Sequence, residues 1–201
     1  MKETANVKLT ANRLVFLLSL LILAAGLAAL SWTLTSGRNQ PQAVNLGGPF
    51  SLIDQNGRTV DQTILAGKPT LLFFGYTHCP DICPTRLYEM AQFVARMGPQ
   101  GKRLNVVFAS VDPERDTPHL LKGYLSGFSD DFIGLTGSSQ AVAAFARSWR
   151  AFYRKVGDTP DSYSMDHTAA IYVLDKKSAF VALIDIEKAP DKAMALLLTL
   201  L

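Results

Sequence analysis

Thr70-Leu71-Leu72-Phe73-Phe74-Gly75-Tyr76-Thr77-His78-Cys79-Pro80-Asp81-Ile82-Cys83-Pro84-Thr85 is the stretch on which the fold turns. The apolar run from Thr70 to Phe74 predicts a buried strand, because a short uninterrupted run of this kind suits a strand covered on both faces. Gly75 breaks it. Pro84 stands where a helix would begin, and Leu87, Met90, Ala91, Val94 and Met97 recur at helical intervals through the segment Arg86 to Met97. The chain has two cysteines, and both lie in this turn, between the end of a central strand and the start of a helix. Backbone N–H groups and the helix dipole there favour thiolate over thiol.

On the N-terminal side, residues 14–32 hold no charge and are nearly all Leu, Ala, Val, Ile and Phe. That run matches the ~20 residues a helix needs to cross a ~30 Å bilayer core. Lys2, Lys8 and Arg13 precede it, so the positive-inside rule puts the N-terminus in the cytoplasm and the rest on the far side. An uncleaved anchor suits the run better than a signal peptide, whose apolar core spans ~7–15 residues. The expected organisation is a cytoplasmic tail over 1–13, a transmembrane anchor over 14–34, a polar tether over 35–48 and one domain over 49–201. Phe50 to Ile53 and Thr59 to Val60 flank Asp54-Gln55-Asn56-Gly57, a hairpin signal.

On the C-terminal side, Leu104 to Val111 reads as a strand closed by Asp112-Pro113. Thr117-Pro118 is a cap followed by proline at the first helical position, so 119–126 is predicted helical. Phe132 to Leu135 is a short strand. Ser138 or Ser139 caps a helix through Arg150. Phe152 to Val156 reads as an edge strand and Gly157 to Asp166 as a polar loop. Ala169 to Leu174 and Phe180 to Ile184 form an antiparallel pair, and Asp191 to Leu201 is a closing helix. The element order predicts an α/β domain with a mixed central sheet flanked by helices. The net charge of +3 is spread without a dense basic run, which argues against a nucleic-acid partner.

Cys79 and Cys83 are about one helical turn apart, so both sulfurs can face the same way. A disulfide staple, a redox pair and a metal-ligand pair are the three readings. Closing four residues gains little loop entropy, which weighs against the staple, and the bite is wider than the common redox spacing CxxC. His167, in the loop ahead of Ala169, reads as a third donor or as a surface histidine. His78 adjoins Cys79, but adjacent side chains seldom point into one site. His119 reads as a solvated helix residue. Asp81 and Asp166 read as ordinary turn aspartates, or as groups that tune the thiolates and orient the histidine loop.

Tyr76-Thr77-His78-Cys79-Pro80-Asp81-Ile82-Cys83-Pro84, then Val111-Asp112-Pro113-Glu114-Arg115-Asp116-Thr117-Pro118, then Asp166-His167-Thr168 resemble the Sco/SenC proteins. These are membrane-anchored, thioredoxin-like copper proteins that help assemble cytochrome c oxidase. The similarity runs from about Leu46 to the last helix. The resemblance implies a thioredoxin-like fold, copper ligands at Cys79, Cys83 and His167, and delivery of copper to the binuclear copper centre of an oxidase subunit. Two thiolates and an imidazole suit Cu(I), and Cu(II) with water completing the set. Thioredoxin-like enzymes usually carry a docking proline where this chain has Asp166-His167-Thr168, which favours metal over disulfide exchange.

The expected function is thus a copper chaperone and not an enzyme. The alternative is a thiol-disulfide oxidoreductase acting on an oxidase subunit's cysteines, with Cys79 attacking and Cys83 resolving. Expected partners are the copper-bearing subunit of cytochrome c oxidase, and beyond it other copper chaperones or thiol reductants. The N-terminus lacks transit-peptide character, so the expected location is a bacterial inner membrane with the domain in the periplasm.

Overall fold

The uninterrupted apolar run becomes the middle of a seven-stranded sheet, in a computed structural model that describes residues 3–36, 46–159 and 162–201. Strand β3 (Thr70–Gly75) is buried at all six positions, as a strand covered on both faces must be. It pairs in parallel with β4 (Asn105–Ser110), in register from Thr70 opposite Asn105 to Gly75 opposite Ser110. On its other side it pairs antiparallel with β8 (Ile171–Leu174). The full order is β2-β1-β5-β4-β3-β8-β9, with the hairpin β1 (Leu52–Asp54) and β2 (Thr59–Val60) at one edge and β9 (Phe180–Ile184) at the other. β5 (Ile133–Thr136) runs parallel to β4.

Parallel neighbours need long crossovers. α2 (Ile82–Arg96) joins β3 to β4, and α3 (Pro118–Ser126) joins β4 to β5. α4 (Ser139–Ser148) follows β5, and α5 (Pro190–Leu200) closes the chain. The expected caps are present: the Thr117 hydroxyl accepts from Leu120 N at 3.3 Å and the Ser138 hydroxyl from Ala141 N at 3.2 Å. The core is one apolar cluster, centred on Phe73, Phe74, Phe93, Phe108 and Trp149.

Three local expectations need correction. Helix α2 starts at Ile82, so Cys83 already lies in its first turn and not in the preceding loop. Pro84 is tolerated there because the first N–H groups of a helix have no intrahelical acceptor. Helix α4 stops at Ser148 instead of reaching Arg150, whose φ of 52° turns the chain out of the helix. The stretch read as a polar loop holds the end of one strand and all but the last residue of another: β6 (Tyr153–Thr159) and β7 (Ser162–His167) form a separate two-stranded antiparallel ribbon. His167 is therefore the last residue of a strand. β7 alternates Tyr163, Met165 and His167 inward with exposed Ser162, Ser164 and Asp166. Its single fully buried position, Met165, leaves too weak an apolar period to be seen in sequence.

Two units divide the chain, Met1–Ala43 and Val44–Leu201. The first contains helix α1 (Glu3–Ser36), whose described apolar side chains, Phe16 to Trp32, are exposed. Among the described residues no helix is long and apolar enough to cross a membrane. The helical backbone expected over 14–34 is present; the crossing itself is taken up below as a proposal. Of the tether expected over 35–48, residues 37–45 lie outside the described residues.

Candidate metal centre

The site forms at the carboxyl ends of β3 and β4, where open α/β sheets generally place their ligands. Gly75 ends β3, and the chain then turns through 76–81 into α2. The turn is closed by Cys79 N donating to the Tyr76 carbonyl at 3.3 Å. Cys83 N, at the start of the helix, donates to Cys79 Sγ at 3.4 Å. A helix N-terminus offering an N–H to sulfur stabilises negative charge on that sulfur. Glycine at 75 is required by packing: a Cβ there would lie 2.8 Å from Cys83 Sγ and 2.7 Å from Phe108 Cε2.

The third donor arrives from 84 residues later in the chain. His167 Nε2 lies 3.3 Å from Cys83 Sγ. One donor atom from each of Cys79, Cys83 and His167 lies within 4.8 Å of the other two, which is the arrangement of a metal-binding group. Nδ1 of His167 sits 3.1 Å from the Thr168 carbonyl, to which it donates. That bond selects the tautomer whose Nε2 lone pair faces the sulfurs. The ring is packed edge-on against Tyr76 and Phe73, with centroids 5.8 and 6.1 Å away.

Burial sets the charge states. It holds the His167 imidazole below its ordinary range, so the ring is kept neutral and fit to bind. Burial also pushes the Cys83 thiol well up. Both cysteines are free thiols. A buried sulfur that resists ionisation is a poor isolated nucleophile, but a metal cation supplies the missing positive charge and displaces the proton. The donor set fits a soft, low-coordinate ion: two sulfurs and one imidazole, with no fourth side chain in the group among the described residues.

The residues singled out by sequence separate clearly. Cys79, Cys83 and His167 come together. His78 does not join them: its side chain is half exposed and lies 3.9 Å from Asp116 and 3.0 Å from the Thr77 hydroxyl. His119 is exposed on α3. Asp81 is exposed at the N-cap of α2 and makes no side-chain cap bond. Asp166 is exposed and pairs with Arg154 across the ribbon at 2.7 Å.

Asp116 was not anticipated. It is fully buried, and accepts from Thr77 N at 3.1 Å, Thr77 Oγ1 at 2.6 Å and Ser110 Oγ at 2.6 Å. It thereby ties the end of β4 to the start of the cysteine turn. Desolvation raises its carboxyl above the usual range, and the three hydrogen bonds oppose that. Its place directly before the Thr117-Pro118 cap marks it in the sequence only as a turn aspartate.

Comparison with known proteins agrees with this architecture. A SCO2-like protein of Rickettsia felis is 38% identical over 156 residues, covering 77% of this chain and 76% of that protein. ScoI of Bradyrhizobium japonicum, solved with copper bound, is 46% identical and superposes with a TM-score of 0.73 over 78% of this chain and 99% of that one. Arabidopsis thaliana ScoI, also solved with copper bound, is 36% identical with a TM-score of 0.71, over 77% and 98% of the two chains. The domain thus has the thioredoxin-like Sco fold, a mixed sheet with flanking helices. The SCO1/SenC family model matches residues 38–201, and the chain belongs to that family.

Proposed function

We propose that this protein is a copper metallochaperone whose ligands are Cys79, Cys83 and His167. The observation that carries this reading is the convergence of two sulfurs and one imidazole nitrogen within 4.8 Å, from the cysteine turn and from the end of a distant strand. Such a soft three-donor set suits Cu(I), and leaves a side open to an incoming acceptor. Copper here is cargo, not a resident catalytic metal, and the protein is not an enzyme in this reading. The family resemblance supports delivery to the binuclear copper centre of a cytochrome c oxidase subunit, from a membrane-anchored position in the periplasm. The anchor rests on the uncharged run 14–32 and the basic residues before it.

Copper titration of the reduced full-length chain tests the reading, with His167→Ala alongside. The expected stoichiometry is one copper per chain, with binding strongly weakened in the variant. A variant that holds copper as tightly as the parent overturns the ligand assignment.

A second reading, thiol-disulfide exchange with oxidase-subunit cysteines, draws on the Cys83 N–H bond to Cys79 Sγ, which favours a nucleophilic sulfur at Cys79. Thiol-dependent turnover that survives His167→Ala, without copper binding, would favour it.

A further inference from the structure

The two cysteines and the histidine stand on different supports. The cysteines belong to β3, its turn and α2. His167 ends a ribbon of two strands paired only with each other, and such a ribbon is marginal by itself. Something outside it must hold the face from which His167 projects.

The core does so by taking in Met165, and Arg115 does so beside it. Tyr163 and His167 are four residues apart on β7, hence on the same face. The Arg115 guanidinium lies 3.6 Å from the centroid of the Tyr163 ring, and Nη1 donates to the Tyr163 carbonyl at 3.1 Å. Nε of Arg115 donates to Asp112 Oδ2 at 2.5 Å, while the Tyr163 hydroxyl donates to Asp112 Oδ1 at 2.7 Å. Asp112 is buried, two residues after the end of β4. The same guanidinium lies 5.7 Å from the ring centroid of Tyr76, which itself packs edge-on against His167. Hydrogen bonds and ion pairs tie the ribbon to Asp112, Glu114 and Arg115 in the turn after β4, and to Cys83 through His167; Tyr76 also interacts with the Met165 backbone and His167 with the Phe74 backbone. The Lys155–Glu114 pair is largely exposed, so it contributes little.

We propose that Arg115 is a positioning residue for the metal site: stacked on Tyr163 and bonded to Asp112, it locks the ribbon face that aims His167 at the two sulfurs. Arginine is needed because a planar fork can stack and donate in two directions at once, which an ammonium cannot. Arg115 touches no metal donor. The proposal rests on the copper reading above, and its test separates the two.

Copper affinity of the full-length chain, measured by chelator competition, is compared for the parent, His167→Ala, Arg115→Gln and the double variant. X-ray absorption counts nitrogen against sulfur ligands in each. Arg115→Gln is expected to weaken binding 10- to 100-fold, the range of an outer-shell contact, with loss of the nitrogen ligand. In the His167→Ala background it is expected to change affinity by no more than about 2-fold. Parent-like affinity in Arg115→Gln overturns the proposal, as does an equal loss in both backgrounds, which would mean the arginine acts through the cysteines or the fold. Arg115→Lys and Tyr163→Phe each keep part of the contact. Should Arg115→Gln fail to fold, an intermediate loss in these two supports the proposal and parent-like affinity in both overturns it. If the parent and His167→Ala bind copper alike, the copper reading itself falls and this proposal with it.

Discussion

The two arms of the site differ in how they are built. The cysteine arm grows out of the best-packed part of the molecule: every residue of β3 is buried, Cys83 is fully buried, and Asp116 ties the turn to β4 from below. The histidine arm is a ribbon whose second strand buries one residue, Met165, and whose polar side faces water. The first arm is set before any ligand arrives. The second has little stability of its own, and elements with few buried contacts are the ones that open first. A site divided in this way holds its sulfurs constant and makes its nitrogen conditional, as the chaperone reading proposed above would use.

The sharpest way to break the comparison is to remove a donor from the firm arm. Cys83→Ser is expected to lower copper affinity by more than the 10- to 100-fold typical of outer-shell changes, while leaving the ribbon intact, as chelator competition and far-ultraviolet circular dichroism would record. Asp116→Ala attacks the same arm through its support. It leaves Thr77 N and two hydroxyls without their acceptor, and a loss of about 3 kcal/mol in chemical denaturation is expected. Asp116→Asn, which keeps an acceptor, is expected to lose clearly less. Gly75→Ala forces a methyl against Cys83 Sγ and the Phe108 ring. About 2 kcal/mol of destabilisation is expected from such overpacking, together with weaker copper binding because the sulfur must shift.

Smaller effects belong to the ribbon. Asp166→Asn removes a pair that is half exposed on both sides, and a change within about 0.5 kcal/mol is expected in thermal unfolding. A large drop in copper affinity there would mean that Asp166 governs His167 directly. The pH dependence isolates the histidine. Its folded pKa lies below the unfolded value of 6.5, so across that window the unfolded chain binds more protons and stability rises with pH. The metal-free protein is therefore expected to lose stability as pH falls below about 6.5, and His167→Ala to remove that part of the slope.

How much was legible follows the same division. The cysteine arm was readable because its signals are local: an apolar run, a glycine, two cysteines and a proline lie within sixteen residues and dictate strand, turn and helix in order. The error there was small, a helix starting at Ile82 and not near Pro84, because proline is tolerated within the first helical turn as well as at its start. The ribbon's first strand was read as an edge strand, but its second was misread as a loop because its alternation is carried by Ser, Asp, Tyr and Met, where only one position is buried. Asp116 was missed because nothing in a sequence tells a turn aspartate in water from one enclosed by three donors.

The sequence by itself determined the strand-and-helix order outside the ribbon, the choice of Cys79, Cys83 and His167 as candidate donors and the family they resemble, because these depend on residue type and short-range spacing. Only the tertiary structure decided that His167 Nε2 meets Cys83 Sγ at 3.3 Å, that Asp116 is buried, and that Arg115 bridges the two arms. Those facts depend on which strand ends the sheet brings side by side, and such long-range pairings are set by the packing of the whole core.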